Sequence, residues 1–266
     1  MPSDAHCHPF NLLDHYPEAE DSRRELGILC ASSSCTKEQF EYHEGLAKRA
    51  AADGAAPVLL CFGVHPQSPA GTSEGESRNG LKLLQELANN DRLDGVGESG
   101  FDLFNAEFRA TEALQEELFT DHLEIAFKKE LPLILHIRRA MSKVFNYAEK
   151  LKKVPALVFH SYSGTLGEAE AVLNRGINAF FSFGTPIMLN HLRAMECAAR
   201  LPAERLLFET DAPYQPLREK SFSSWADLAM IRKTAAQLRK AAGSFCTSEN
   251  ELEIQTDSNF KKVFGL

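Results

Sequence analysis

Several things are missing from this sequence of 266 residues, and each absence narrows what the chain can be. No run approaches the ~18 apolar residues of a membrane span. The opening MPSDAHCHPF has neither the basic flank nor the apolar core of a secretory signal. A soluble, cytoplasmic protein that avoids membranes is expected. Positive charge is in short supply: 29 Lys and Arg stand against 37 Asp and Glu, a net charge of −8. That argues against a broad basic nucleic-acid surface, which needs many Lys or Arg contacts to phosphate, although a local positive site remains open. The six cysteines (Cys7, Cys30, Cys35, Cys61, Cys197 and Cys246) contain no CxxC pair, so they read as free thiols. The dinucleotide fingerprint GxGxxG is absent. The stretch GVGESG at 95–100 has the wrong spacing, and an acid where a phosphate would lie. No low-complexity tail and no linker divides the chain, and a single domain over 1–266 is expected.

What is present is a rhythm. Short apolar runs at 27–32, 57–64, 94–98, 132–137, 155–161, 177–183 and 205–211 read as strands, and the more polar 2–8 joins them by position. Helical patterns fit 36–53, 79–90, 110–130, 140–152, 165–175, 187–200, 223–242 and 257–264. The first begins with Thr36 and Gln39 spaced as a capping box. In 110–130 the residues Leu114, Leu118, Leu123 and Phe127 fall near one face. The segment 66–80, rich in Gly, Ser and Pro, reads as a flexible surface connection. Strands alternating with helices imply parallel pairing through right-handed crossovers. Eight such units in ~260 residues point to an α/β fold closed as a (β/α)8 TIM barrel.

In such a barrel the strand interiors are apolar and functional groups gather at the strand C-termini. His6 and His8 end the first predicted strand, His65 follows the third, and Glu98 ends the fourth. His136, His160 and Asp211 end the fifth, sixth and eighth. Taken singly, each has an ordinary structural reading as a hydrogen-bonded histidine, a helix cap or a turn aspartate. Together, five of the nine histidines and two acids fall at one end of independently assigned strands. In apolar surroundings such groups are costly unless they are paired or hold a metal. The other four histidines, His15, His43, His122 and His191, read as surface or packing residues. Alternation along the first strand sends Asp4, His6 and His8 one way and Cys7 the other, which makes Cys7 barrel-wall packing.

Imidazole and carboxylate donors suit divalent transition metals, and they are too numerous here for one catalytic zinc with its three protein ligands. Two ions ~3.5–4 Å apart, bridged by Glu98, would use them all. His6 and His8 would hold one ion, His136 and His160 the other. Asp211 would complete the first site or act as a base toward a bridging water. The expected cofactors are therefore two divalent ions, Zn, Mn or Mg. The expected chemistry is metal-assisted hydrolysis of a phosphoester or an amide-type bond. His65 is a candidate for contact with a phosphate or leaving group. Of the adjacent Arg138 and Arg139, one is placed to meet a substrate anion and the other to face solvent.

The motifs DAHCHP, GVHPQ, GVGESGFD, LPLILHIRRA, FHSYSG and LLFETDAP, with the closing NFKKVFG, resemble in order those of the TatD-related metal-dependent deoxyribonucleases. The resemblance runs over essentially the whole chain. It implies an amidohydrolase-type TIM barrel and divalent metals. It also implies hydrolysis of DNA phosphodiesters, often from 3′ ends, with single-stranded or 3′-terminal DNA as the partner of a monomeric enzyme. Carried over residue by residue, the metal positions are His6, His8, Glu98, His136, His160 and Asp211, with His65 as an active-site residue. Catalysis would rest on Asp211, His65 and Glu98, and substrate binding on Arg138 and His65. The sequence departs from the family pattern at Arg139, where an acid is usual, at HSYSG, and in lacking an Asn-Glu-Pro element after the eighth strand. An amidohydrolase acting on a small cyclic amide or ester is the competing enzyme reading, mildly favoured by the negative charge. A metal-binding protein without turnover is a third.

Overall fold

The computed structural model describes residues 1–266. Eight strands, β1 (Ser3–Cys7), β2 (Leu29–Ser34), β3 (Val58–Phe62), β4 (Gly95–Asp102), β5 (Leu133–Arg138), β6 (Leu157–Phe159), β7 (Ala179–Phe183) and β8 (Leu206–Phe208), pair in chain order. Every ladder is parallel, with helices in each crossover, which makes the fold a TIM barrel. The inward residues Leu29, Ala31, Leu59, Cys61, Ile134, Val158, Phe180 and Leu207 form one apolar cluster inside the barrel. Phe260 and Val263 of the C-terminal helix Glu249–Phe264 join that cluster and close the barrel's N-terminal end. Asn259 of the same helix donates to the carbonyls of Ala203 and Leu206, both at 2.8 Å. The outward residues, Cys7 among them, pack in a larger cluster under the helices.

The two edges of the sheet meet through hydrogen bonds at the C-terminal end rather than through a full ladder. His8 N–H donates to the Ala212 carbonyl at 2.8 Å, and Asp211 N–H to the His6 carbonyl at 3.0 Å. Asp4, fully buried, accepts from the Thr210 amide (3.1 Å) and hydroxyl (2.6 Å). Asp4 is therefore a closure residue and does not face the cleft with His6 and His8. The alternation argument fails there because the β1–β2 register slips. Asp4 to Cys7 spans three steps against the two from Cys30 to Ser32. A matching slip in β4 sets Val96 to Ser99 against Leu133 to Leu135. Each slip inserts one residue, and such irregularities re-aim side chains beside functional sites. Here the two spans contain His6 and Glu98.

Other boundaries also differ from expectation. β4 runs four residues past Glu98, and β8 stops three residues before Asp211. The predicted connection 66–80 instead holds the turn Ser68–Gly71 and the start of the helix Glu74–Asn89, capped reciprocally by Ser73 and Glu76. The closing helix begins at Glu249, not 257. In the helix Glu112–Lys129, Leu118 and Leu123 are buried as predicted, but Phe127 is exposed.

Candidate metal centre

At the C-terminal mouth of the barrel a polar cleft of about 700 Å³ gathers His8, His65, Glu98, His136, His160 and Asp211. His6 lies beneath them, 2 % exposed. Glu98 is the centre of the arrangement, and its two carboxylate oxygens face different groups. Oε1 lies 3.3 Å from His6 Nε2 and 3.6 Å from His8 Nε2. Oε2 lies 2.9 Å from His160 Nε2, 3.4 Å from His65 Nε2 and 3.7 Å from His136 Nδ1. Asp211 Oδ1 approaches His8 at 3.3 Å and His6 at 3.8 Å.

The backbone is tailored to this. Gly63 follows β3 where a Cβ would collide with the Glu98 carbonyl and come within 2.7 Å of the Gly97 carbonyl carbon, so only glycine lets β4 pass. Ser161, Asp211 and Gln215 line the cleft with φ of 44°, 53° and 54°, in the left-handed region that non-glycine residues enter at a cost of about 1–3 kcal/mol. Gln215 donates to Asp211 Oδ2, which leaves Oδ1 directed at the histidines.

Charge follows geometry. Burial would raise the Glu98 carboxyl, but His6, His160 and His65 outweigh it and hold it well below the usual range. Burial opposes protonation of His160, yet the charge on Glu98 drives its pKa well above normal. His8 is raised in the same way by Asp211, and His136 by Asp102, each against its own burial. Asp211 is lowered despite burial, through His8 and His6. His65, where burial dominates, is lowered. The carboxylates thus favour the protonated forms of His8, His136 and His160, and these are positions where a divalent cation competes with protons.

The donors suit such cations. Ligand atoms fall into three groups, each within 4.8 Å: His6, Glu98 and His160; His6, His8 and Asp211; His65, Glu98 and His136. All seven sequence candidates, Glu98 and the six residues around it, are therefore brought together. Arg138 lies at the cleft wall, stacked 3.6 Å from the Phe104 ring centroid, with Nη1 4.0 Å from Asp102. Arg139 also lies over Phe104, at 4.5 Å.

Sequence reasoning missed the supporting carboxylates. Asp102, fully buried, accepts from His136 Nε2 at 3.1 Å and from the Gln67 amide at 2.7 Å. Burial raises its pKa, and the His136 and Gln67 bonds more than reverse this, to about 2. With Nε2 bearing the proton, His136 Nδ1 presents its lone pair to the cleft. Glu209, also fully buried, accepts from Ser161 N–H at 2.6 Å and lies 3.7 Å from His160 Nδ1. Asp102 escaped because the fourth strand was expected to end at Glu98, whereas β4 runs on to Asp102. His43 and His122, read as surface or packing residues, are both buried hydrogen-bond acceptors. His43 Nε2 accepts from Phe10 N–H at 3.1 Å and His122 Nε2 from Val64 N–H at 2.9 Å. His191 lines the cleft, and His15 stacks on Phe222.

Comparison with known proteins agrees with this architecture. The chain is 34% identical over 76% of its length to a Cronobacter sakazakii protein described as 3'-5' ssDNA/RNA exonuclease TatD, covering 75% of that protein. It is 28% identical to an uncharacterized metal-dependent hydrolase of Buchnera aphidicola, over 99% of this chain and 96% of that one. The crystal structure of YJJV, a TatD homolog from Escherichia coli K12, superposes with a TM-score of 0.80 at 26% identity, covering 99% of this chain and 98% of that one. The family model for TatD related DNase matches residues 3–265, and the chain belongs to that family.

Proposed function

We propose that this protein is a two-metal exonuclease that hydrolyses phosphodiester bonds at the 3′ ends of single-stranded nucleic acid. The observation that carries the reading is Glu98, whose two oxygens face separate imidazole groups, one at the end of β1 and one at the ends of β3, β5 and β6. His6, His8 and Asp211 would hold one ion with Glu98 Oε1. His136 and His160 would hold the second with Glu98 Oε2, and His65 is near enough to join them or to meet the scissile phosphate. Two divalent ions, Zn, Mn or Mg, would supply Lewis acidity toward a phosphoryl oxygen and a lowered pKa for the attacking water. Asp211, whose Oδ1 is left free by the Gln215 bond to Oδ2, would complete the first ion's site or serve as the base toward the attacking water. Asp102 keeps the His136 proton on Nε2, and Arg138 takes a non-bridging phosphate oxygen. The reading extends to a monomer in which residues 1–266 serve one domain. Six free thiols fit a reducing compartment such as the cytoplasm.

The test is metal content by mass spectrometry, then cleavage of 5′-labelled single-stranded DNA and RNA after metal add-back, for wild type, Glu98→Ala and Asp211→Ala. Both variants are expected to lose activity by more than about a hundredfold, since two-metal stabilisation amounts to several kcal/mol. Unchanged cleavage in both would sink the site. A metal-loaded wild type inert on nucleic acid but active on a cyclic amide would replace this reading with the small-substrate one.

A further inference from the structure

Beside the metal centre lies a second cleft of about 530 Å³ that shares Ile137, Arg138 and Ser163 with the first. Its wall carries three guanidinium groups, Arg138, Arg139 and Arg193, and one carboxylate, Glu168. Glu168 is already engaged, accepting from Thr165 N–H at 2.7 Å and Thr165 Oγ at 2.8 Å as a helix cap. Arg138 and Arg139 both rest on the Phe104 ring, with Cζ at 3.6 and 4.5 Å from its centroid. Arg139 is held further by donating to the Phe104 carbonyl at 3.3 Å and by its left-handed backbone, φ 55°. Arg139 and Arg193 are nonetheless exposed. In a chain of net charge −8, three guanidinium groups on one cleft wall, two of them held on Phe104, form a concentrated positive surface. Arginine forks suit phosphate oxygens, and guanidinium planes stack on bases.

Building on the exonuclease reading, we infer that the single strand leaves the metal centre across Ile137 and enters this second cleft. There Arg139 and Arg193 hold the phosphates on the 5′ side of the scissile one, with Arg138 at the boundary. Binding energy gained in this cleft is available to an oligonucleotide and not to a small phosphodiester, which reaches only the metal centre. The cleft is thus a subsite that favours polymers over monomeric esters.

The experiment compares full-length wild type with the double variant Arg139→Gln/Arg193→Gln, both loaded with the same metal. Two measurements are made: kcat/KM on bis(p-nitrophenyl) phosphate and on an oligothymidylate of about ten nucleotides, and the salt dependence of oligonucleotide binding by fluorescence anisotropy. The ratio of oligonucleotide to small-ester kcat/KM is expected to fall about tenfold. The slope of log K against log salt is expected to flatten by about 1.4, since each phosphate contact on a single strand contributes about 0.7. Arg139→Lys/Arg193→Lys should keep the slope, which separates charge from packing. An unchanged ratio with an unchanged slope overturns the subsite. If wild type hydrolyses neither substrate, the exonuclease reading fails, and the anisotropy slopes alone decide whether this cleft binds a polyanionic strand.

Discussion

His122 offers a test of how the scaffold holds the site, independent of any ion. It lies fully buried on the helix Glu112–Lys129, Nδ1–H donating to the Leu118 carbonyl at 2.6 Å and Nε2 accepting from Val64 N–H at 2.9 Å. Val64 precedes His65, so this bond anchors the backbone that carries a cleft residue. The arrangement needs a neutral ring. Burial lowers the His122 pKa from 6.5 to about 4, although the Leu118 hydrogen bond opposes the shift. The unfolded chain therefore binds the proton more readily than the folded one between those values. Stability from this group is complete above pH 6.5 and is lost as pH falls toward 4. Linkage puts the loss at about 2 kcal/mol between pH 8 and pH 5. The perturbation is His122→Gln, which removes the titration. At pH 8 the variant should be less stable by about 1–3 kcal/mol for the disturbed buried bonds. By pH 5 the wild-type advantage should have shrunk by about 2 kcal/mol. Urea unfolding of both proteins across that range measures the difference, in which contributions from the metal-site histidines cancel. A gap that stays constant from pH 8 to pH 5 would refute the claim that a neutral His122 is required.

Three further outcomes follow from the geometry. Asp102→Asn takes the charged acceptor from His136 and should weaken metal affinity by about 10–100-fold, read by titration against a competing chelator. Gly63→Ala places a methyl against the β4 backbone at Gly97 and Glu98; overpacking there should cost about 1–3 kcal/mol or more, visible as a lowered melting temperature together with lost activity. Stripping divalent ions should lower the melting temperature, since a ligand at 100-fold its Kd adds about 2.7 kcal/mol. It should also speed amide exchange at His8 and Asp211, while exchange at Asn259 on the far end of the barrel is unaffected.

The parts of the fold legible in the sequence are those where burial is uniform. Runs such as VLLCF and LILHI announce their strands because both faces are covered, and the order of strands and helices then leaves few topologies. What escaped were features defined by a distant backbone. Nothing near Asp4 says that its acceptors will meet Thr210, 206 positions away, or that the β1 register slips. His122 looks like any helical histidine until Val64 N–H arrives from a residue 58 positions earlier. The helix Glu74–Asn89 was legible after all, since Ser73 and Glu76 have capping-box spacing; the glycines around them masked it. Glu98 and the six candidates around it were found because chemistry at strand ends is a positional rule. Asp102 and Glu209 were not, because neither sits at an expected strand end facing the cleft: Asp102 bonds His136 from behind, and Glu209 lies behind His160.

The two register slips and the incomplete ladder between β8 and β1 have a common logic. Regular parallel strands alternate their side chains, so a barrel of ideal strands presents every second residue inward and leaves no freedom to crowd donors at one level. The extra residue in β1 brings His6 inward out of phase, and the one in β4 does the same for Glu98, so that their atoms meet at 3.3 Å. At the seam, β8 ends at Phe208, and the chain then turns through Thr210, Asp211 and Ala212 instead of continuing the ladder. That turn supplies Thr210 to Asp4, the Ala212 carbonyl to His8 N–H and the Asp211 side chain to the cleft. Completing the ladder would stabilise the barrel, but it would return Asp211 to strand geometry and lose its left-handed conformation. The fold is therefore least regular where donors from β1, β4 and the turn after β8 must converge. A cation held by His6, His8 and Asp211 would bind the two edges across that seam.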